Sequence, residues 1–574
     1  MRLYYPPYKI TDEGIFEEVP AKPDSDKLID VRICDTPCRL IATGDNVDTG
    51  ETLYKISVTG LKKREKIAWK KPKDLLTRDG IISMYDNGMI FEERMAPKLM
   101  SFFSTYIRKA TPDLKEELTA SRSGWKQNNS LFIVGSKAYT GRKEPKEVIQ
   151  LENNTADLYT QKGTIEGWKV AGEELLKYDA IRFKAYAACT PLILSLIGVP
   201  SFLLEQIGKS GILKTLSSMF CASMYGNPVT LQINAKSTPK GIEAFVGYNT
   251  DLPVFIDETS TNEKEIKDMI YTIANGIGRS TSNKSKGYEM PKTWLTVVMT
   301  TGENPILPTN AKLGEFVRNV QLRDGVTEQL DQNTVSKIEE AIQENHGLLR
   351  DLIIKEIFEN KDSLKATYRM YYEALPDPDE KNITSARAKK FYAAIATAGY
   401  ILETVFCRVG LENVDPLNIV NKYYTQNVLD DSAFIPDHER AFEAFQAWFA
   451  GNRLYFEESE DGDLPDEEHK MNHERYGWIR AGKIQITPTK LEQVITQLGY
   501  NYKGCVDNWK KEKKYLDGRS HKKNGKEYTE YTFELKDNGI QHKVFRIPYN
   551  QESNDLKDSD DRAKKGKMPV LHIK

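Results

Sequence analysis

Apolar residues along this 574-residue chain change period several times, and each change marks a different kind of element. Residues 1–95 read as a β-rich N-terminal domain. Arg32-Ile33-Cys34, Arg39 to Ala42 and Leu53 to Val58 are short and bounded by Gly, Asp and Pro. Ala96 to Ala110 turns helical and opens a mixed α/β connecting region, 96–164, with a strand expected at Ser130 to Val134. Residues 165–330 alternate strands and helices. Residues 331–456 are helical, with apolar positions at helical spacing over Asn333–Phe358 and Ala386–Val409. An acidic linker, 457–470, separates these from a small last domain, 471–550, and from a polar tail, 551–574, expected to be disordered. A chain this long exceeds one core, so three or four units are expected.

Ala185 to Leu204 is uncharged for about twenty residues, the length of a membrane span. Pro191, Gly198 and Pro200 interrupt it and a phosphate-loop pattern follows, so it reads as a buried helix and a buried strand. No membrane association is expected. The N-terminus has early acids and no apolar run, unlike a leader peptide. Cys34 and Cys38 lack a second Cys or His pair to complete a zinc site, and buried thiols in a reducing cytoplasm are expected.

The central block carries the candidate chemistry. After the apolar run Ser201 to Ile207 comes Gly208-Lys-Ser-Gly-Ile-Leu213-Lys214-Thr215. Gly208, Lys214 and Thr215 match the Walker A pattern, with Leu213 in place of its second glycine. Backbone N–H groups at a helix start would hold the phosphates of ATP, Lys214 their charge, and the Thr215 hydroxyl Mg2+. Leu213 puts the tightness of that loop in doubt. About forty residues on, Leu252 to Ile256 ends in Asp257-Glu258, as a Walker B strand does. Asp257 would join the Mg2+ shell and Glu258 would polarise the attacking water. A strand ending in a solvated acidic turn looks the same, so the order of the two motifs carries the weight. The strand Trp294 to Thr301 places Thr301 where an AAA+ core has its γ-phosphate sensor, although strand capping would also explain it. Arg318, or Arg279, suits an arginine finger, a second sensor or a surface ion pair.

Net charge is −2 overall, yet residues 471–550 hold 16 Lys and Arg against 9 Asp and Glu, a local +7. Pro488–Leu498 and Lys503–Tyr515 read as two helices, the second bearing Lys510, Lys511 and Lys514. A basic hairpin follows with Arg519, Lys522 and Lys523, then an alternating strand from Tyr528 to Leu535. This is the pattern of a winged helix on double-stranded DNA, or else a solvated lysine-rich surface. Lys284 and Lys286 lie between the Walker B and sensor strands. There they would track single-stranded DNA phosphates, or sit on an exposed loop.

Taken together, Tyr271 to Arg279, Trp294 to Glu303, Tyr8 to Ile15, Ser123 to Trp125, Tyr476 to Ile479 and Gly499 to Tyr502 resemble a family. It is the helicase-type replication proteins of phage-inducible islands, cassette chromosomes and prophages. The resemblance implies an MCM-like AAA+ self-loading helicase: a homo-hexameric ring that binds an origin and unwinds DNA with ATP. The expected fold class is α/β: a P-loop AAA+ core with a β-rich N-terminal domain, a helical region and a C-terminal winged helix. Leu213 leaves a second reading open, a DNA-binding relative with weak or no hydrolysis.

Overall fold

The structure is a computed structural model. It describes residues 3–22, 25–141, 144–150, 154–209, 213–234, 237–257, 268–269, 272–278, 281–283, 287–289, 291–307, 317–323, 330–377, 383–429, 436–458, 475–512, 514–523, 526–537 and 540–548. The expected tail, 551–574, and most of the acidic linker lie outside these. The chain divides into two compact units. One comprises Met1–Ile306, Arg318–Asp377 and Ala386–Leu429; the other comprises Leu307–Val317, Pro378–Ser385 and Asp430–Lys574.

In the first unit, the strands Leu3–Tyr5, Tyr8–Thr11, Gly14–Pro20 and Leu28–Cys34 form an antiparallel meander. Cys38–Asp45, Thr52–Thr59, Glu65–Lys70 and Lys115–Glu116 form a second sheet. The helix Ala96–Ala110, expected outside this domain, shares its core. Leu99, Phe102, Phe103 and Tyr106 recur at helical spacing and pack with Ile10, Ile15, Leu40 and Ile56. The apolar stripe, rather than the end of the strand pattern, sets the boundary.

The central element is a five-stranded sheet of β1 (Phe202–Ile207), β2 (Gln232–Asn234), β3 (Val254–Asp257), β4 (Val297–Gly302) and β5 (Asn319–Leu322), in the order β2-β3-β4-β1-β5. All pairings are parallel. Every carboxyl end therefore lies at one edge of the sheet, where open parallel sheets bind ligands. Strands covered on both faces are near-continuous apolar runs, and β1 and β4 are buried at every position. The two polar residues of β1 point to opposite faces and each is satisfied. Glu205 accepts from the Ile306 N–H and the Asn319 amide; Gln206 accepts from Ser217 and Lys184.

The uncharged stretch runs from the middle of α1 (Asp179–Cys189) through the helix Pro191–Ile197 into β1, and the two buried helices are bent by 57°. Among the described residues no single helix is long and apolar enough to cross a membrane. The helical run expected over 333–358 breaks into Gln332–Glu344 and Leu348–Asn360. Gly347 between them has φ +74°, and a Cβ there would sit 2.2 Å from the Thr160 carbonyl oxygen. Ile383–Arg408 is one long helix.

The second unit begins earlier than the acidic linker suggests. The helix α3 (Asp437–Gly451) packs Phe445 and Phe449 into one core with Ile484, Ile486, Leu491, Ile495 and Trp509. The strand Phe456–Glu458 pairs in parallel with Gly477–Arg480, and Lys483–Ile486, Ile540–Pro548 and Phe533–Asp537 complete the sheet. Helices α4 (Pro488–Gln497) and α5 (Tyr502–Lys511) follow, capped by Thr487 and Asn501. Next comes an antiparallel hairpin of β6 (Arg519–Lys523) and β7 (Lys526–Glu530). The single strand expected over 528–535 is two, divided at Tyr531–Thr532.

Candidate functional site

The carboxyl edge of the central sheet is built first by the loop after β1. The Gly208 N–H donates to the Gly302 carbonyl at 3.2 Å, pinning the start of the loop to the end of β4. Residues 210–212 lie outside the described set. Leu213 is the residue before helix α2 (Lys214–Ser223) and has φ 54°, ψ 37°. That is the left-handed region, open to glycine and unfavourable by about 1–2 kcal/mol for a residue with a Cβ. The backbone thus keeps the conformation that the missing glycine would take freely. Lys214 opens the helix, and its ammonium folds over the loop to the Gly208 and Lys209 carbonyls at 2.6 and 2.9 Å.

The Thr215 hydroxyl lies 3.3 Å from both carboxylate oxygens of Asp257, the last residue of β3. Thr301, near the end of β4, donates to the same carboxylate. Because β4 lies between β1 and β3, helix start, acid and hydroxyl converge at one edge from three adjacent strands. A carboxylate and a hydroxyl are hard oxygen donors suited to Mg2+, and a lysine at the start of a helix suits phosphate. The residues present fit a magnesium–nucleotide complex.

Glu258, Arg279, Lys284 and Lys286 lie outside the described residues. The strands flanking the two lysines, Thr281–Asn283 and Gly287–Glu289, pair antiparallel. Arg318 does not join the site. It precedes β5 and is level with the start of β1, about 16 Å along the strands from the loop at the usual strand rise. Its guanidinium donates to Asn275 at 2.6 Å. Arg318 thus lies apart from Lys214, Thr215, Asp257 and Thr301 within this chain.

Two charged residues near the edge escaped the sequence reading. Arg323 follows β5 and donates to Gln321 at 2.7 and 3.2 Å. Lys184, in α1, is fully buried beneath α2. No motif marks it, since a lysine in an apolar helix usually snorkels to water.

In the second unit, Arg519 and Lys522 are exposed on the hairpin, where Arg519 faces Glu530 and Lys522 faces Glu527 in register, and Lys523 pairs with Lys526. Lys510 and Lys511 occupy the last turn of α5, with Lys510 3.9 Å from Asp507. Lys514 is already engaged by carboxylates, 3.5 Å from Glu512 and 3.8 Å from Glu439.

A family model described as a domain of unknown function (DUF927) matches residues 8–292. No curated protein matches the chain. A solved structure described as "SCCmec type IV Cch - active helicase" superposes with a TM-score of 0.69. It is 20% identical, over 96% of this chain and 99% of that one. At that identity the likeness establishes a shared fold, nearly end to end. An apo structure of the NrS-1 C-terminal region, 12% identical over 88% of this chain and 96% of that one, aligns with a TM-score of only 0.28.

Proposed function

We propose that the chain is an ATP-dependent replicative DNA helicase and origin-binding initiator of a mobile genetic element, working as a homo-hexamer in the cytoplasm. The observation that carries this reading is the meeting of Lys214, Thr215, Asp257 and Thr301 at the carboxyl edge of a parallel sheet ordered β2-β3-β4-β1-β5. That order, with the sensor strand between the two acid- and loop-bearing strands, is the arrangement expected of an AAA+ core. The fold shared with a protein described as an active helicase supports the same class.

In this reading Lys214 neutralises phosphate charge, and Thr215 and Asp257 hold Mg2+. Bound Mg–ATP supplies the phosphoryl group whose transfer to water drives movement. Glu258 polarises that water and Thr301 senses the γ-phosphate through Asp257. Arg318, at the opposite edge, serves a neighbouring copy's nucleotide. The helix pair α4–α5 with its basic hairpin acts as a winged helix on double-stranded DNA, and Lys284 and Lys286 follow the single strand.

The deciding experiment measures ATP hydrolysis with and without single-stranded DNA, beside Lys214→Ala. Hydrolysis stimulated by DNA and abolished by the substitution is expected. Activity unchanged by Lys214→Ala would overturn the site. An inactive parent that still binds duplex DNA would favour the second reading, a DNA-binding relative without turnover, which the left-handed Leu213 motivates.

A further inference from the structure

Among the described residues, no carboxylate forms an ion pair with the buried ammonium of Lys184. Its residue is 0% exposed. Its ammonium lies 2.6 Å from Gln206 Oε1, 2.6 Å from Ser218 Oγ, 2.8 Å from Ser217 Oγ and 3.1 Å from the Lys214 carbonyl oxygen. All four acceptors are neutral. A buried cation without an ion-pair partner is a heavy cost to a fold. The location adds to it, because three of the acceptors belong to the opening turns of α2, the positive end of that helix dipole. The titratable groups facing Lys184 are Cys221 and Lys214 on α2 and Asp257 on β3, while β1 presents Gln206. Burial pushes its ammonium down to about 8, against the opposing pull of Cys221 and Asp257, with Lys214 adding to the depression.

We propose that Lys184 is a positioning residue of the nucleotide site: it holds the opening turns of α2 from beneath, and its counter-charge is the polyphosphate of bound nucleotide. The inference rests on the reading of the loop after β1 as that site. It explains why a charge that weakens the nucleotide-free fold stands directly under the helix start. Bound phosphate draws the lysine toward its charged form, so affinity falls where the free protein has already lost that proton.

The test is calorimetric titration of the full chain with Mg–ATP at about pH 7 and pH 9, for the parent and Lys184→Met, with thermal unfolding of both without nucleotide. Methionine keeps the length and removes the charge; Ser217 retains Gln206 at 3.0 Å and Lys214 O at 2.7 Å. The expected result is about tenfold or greater loss of affinity at the lower pH. The parent's decline toward pH 9 should vanish in the variant, with no drop in its unfolding temperature. Equal affinities, or a lowered unfolding temperature with the pH dependence intact, would overturn the role of Lys184. Should Lys184→Met not fold, Lys184→Gln is read the same way. A parent that binds no nucleotide overturns the underlying site reading, and this inference with it.

Discussion

The Thr215 hydroxyl lies 3.3 Å from both oxygens of the Asp257 carboxylate, joining the first turn of α2 to the end of β3 across the strand that separates β1 from β3. The same carboxylate accepts from Thr301. On the proposed reading, Asp257→Asn keeps an acceptor for both hydroxyls and removes the charge that would hold Mg2+. Metal-held charge is worth several kcal/mol in a transition state, so turnover should fall on the order of 100-fold or more. The check is hydrolysis rate against Mg2+ concentration, with a melting curve to show that the fold is kept. A variant with the parent's Mg2+ dependence would remove Asp257 from the metal site.

Leu213 concentrates the question of activity in one backbone conformation. Leu213→Gly relieves about 1–2 kcal/mol of left-handed strain and adds unfolded-state freedom worth about 0.4–1 kcal/mol. Stability should therefore be unchanged or rise by up to about 1.6 kcal/mol, while nucleotide affinity rises because the loop no longer carries a Cβ. Leu213→Val, β-branched in the same region, should lose stability instead. Denaturant midpoints and nucleotide titrations on the three proteins decide this. Weaker binding by the glycine variant would mean that the leucine side chain itself contributes to the site.

The strands that build this edge were legible because buried parallel strands are continuous apolar runs, and β3 and β4 carry Asp257 and Thr301 at or next to their ends. Leu213 was visible as a departure from pattern, though its φ was not. Sequence order alone cannot say which end of a strand a flanking residue occupies, so Arg318 was a candidate although it precedes β5 at the far edge. Lys184 was hidden because its partners lie 22 to 34 residues away on β1 and α2. The boundary at Asp430 was hidden because the acidic run is a stronger compositional signal than the aromatic stripe of α3, which carries the core.

The hairpin and the end of α5 should differ in their use of charge. Arg519 and Lys522 are exposed on β6, each opposite one glutamate in register, whereas Lys514 lies within 4 Å of two carboxylates, Glu512 and Glu439. Each basic side chain that contacts a DNA phosphate contributes about one unit to the salt dependence of binding. Arg519→Ala and Lys522→Ala should each weaken duplex binding and lower the slope of log K against log salt by roughly one. Lys514→Ala should change the slope little. Filter binding across a salt series distinguishes them, and a larger effect at Lys514 would move the DNA surface toward α3.

Asp251 offers a test of stability against pH at the other edge of the sheet. It is 6% exposed, has φ 61°, and accepts from the Trp125 N–H at 3.0 Å. Burial pushes its carboxyl up to about 6 from an ordinary 3.8, against that hydrogen bond and the charges of Lys126 and Arg122. A carboxyl whose folded value is raised favours folding in its protonated form. Its contribution is full below about 3.8 and is lost as pH rises through about 6. Asparagine stays neutral, keeps an acceptor and tolerates the left-handed backbone. Asp251→Asn should therefore stabilise the protein at pH 7 by up to about 3 kcal/mol, at 1.36 kcal/mol per pH unit, with little change near pH 4. Denaturant unfolding at the two pH values measures the difference. A variant less stable at pH 7 than at pH 4, relative to the parent, would show that Lys126 and Arg122 depend on the ionised carboxylate.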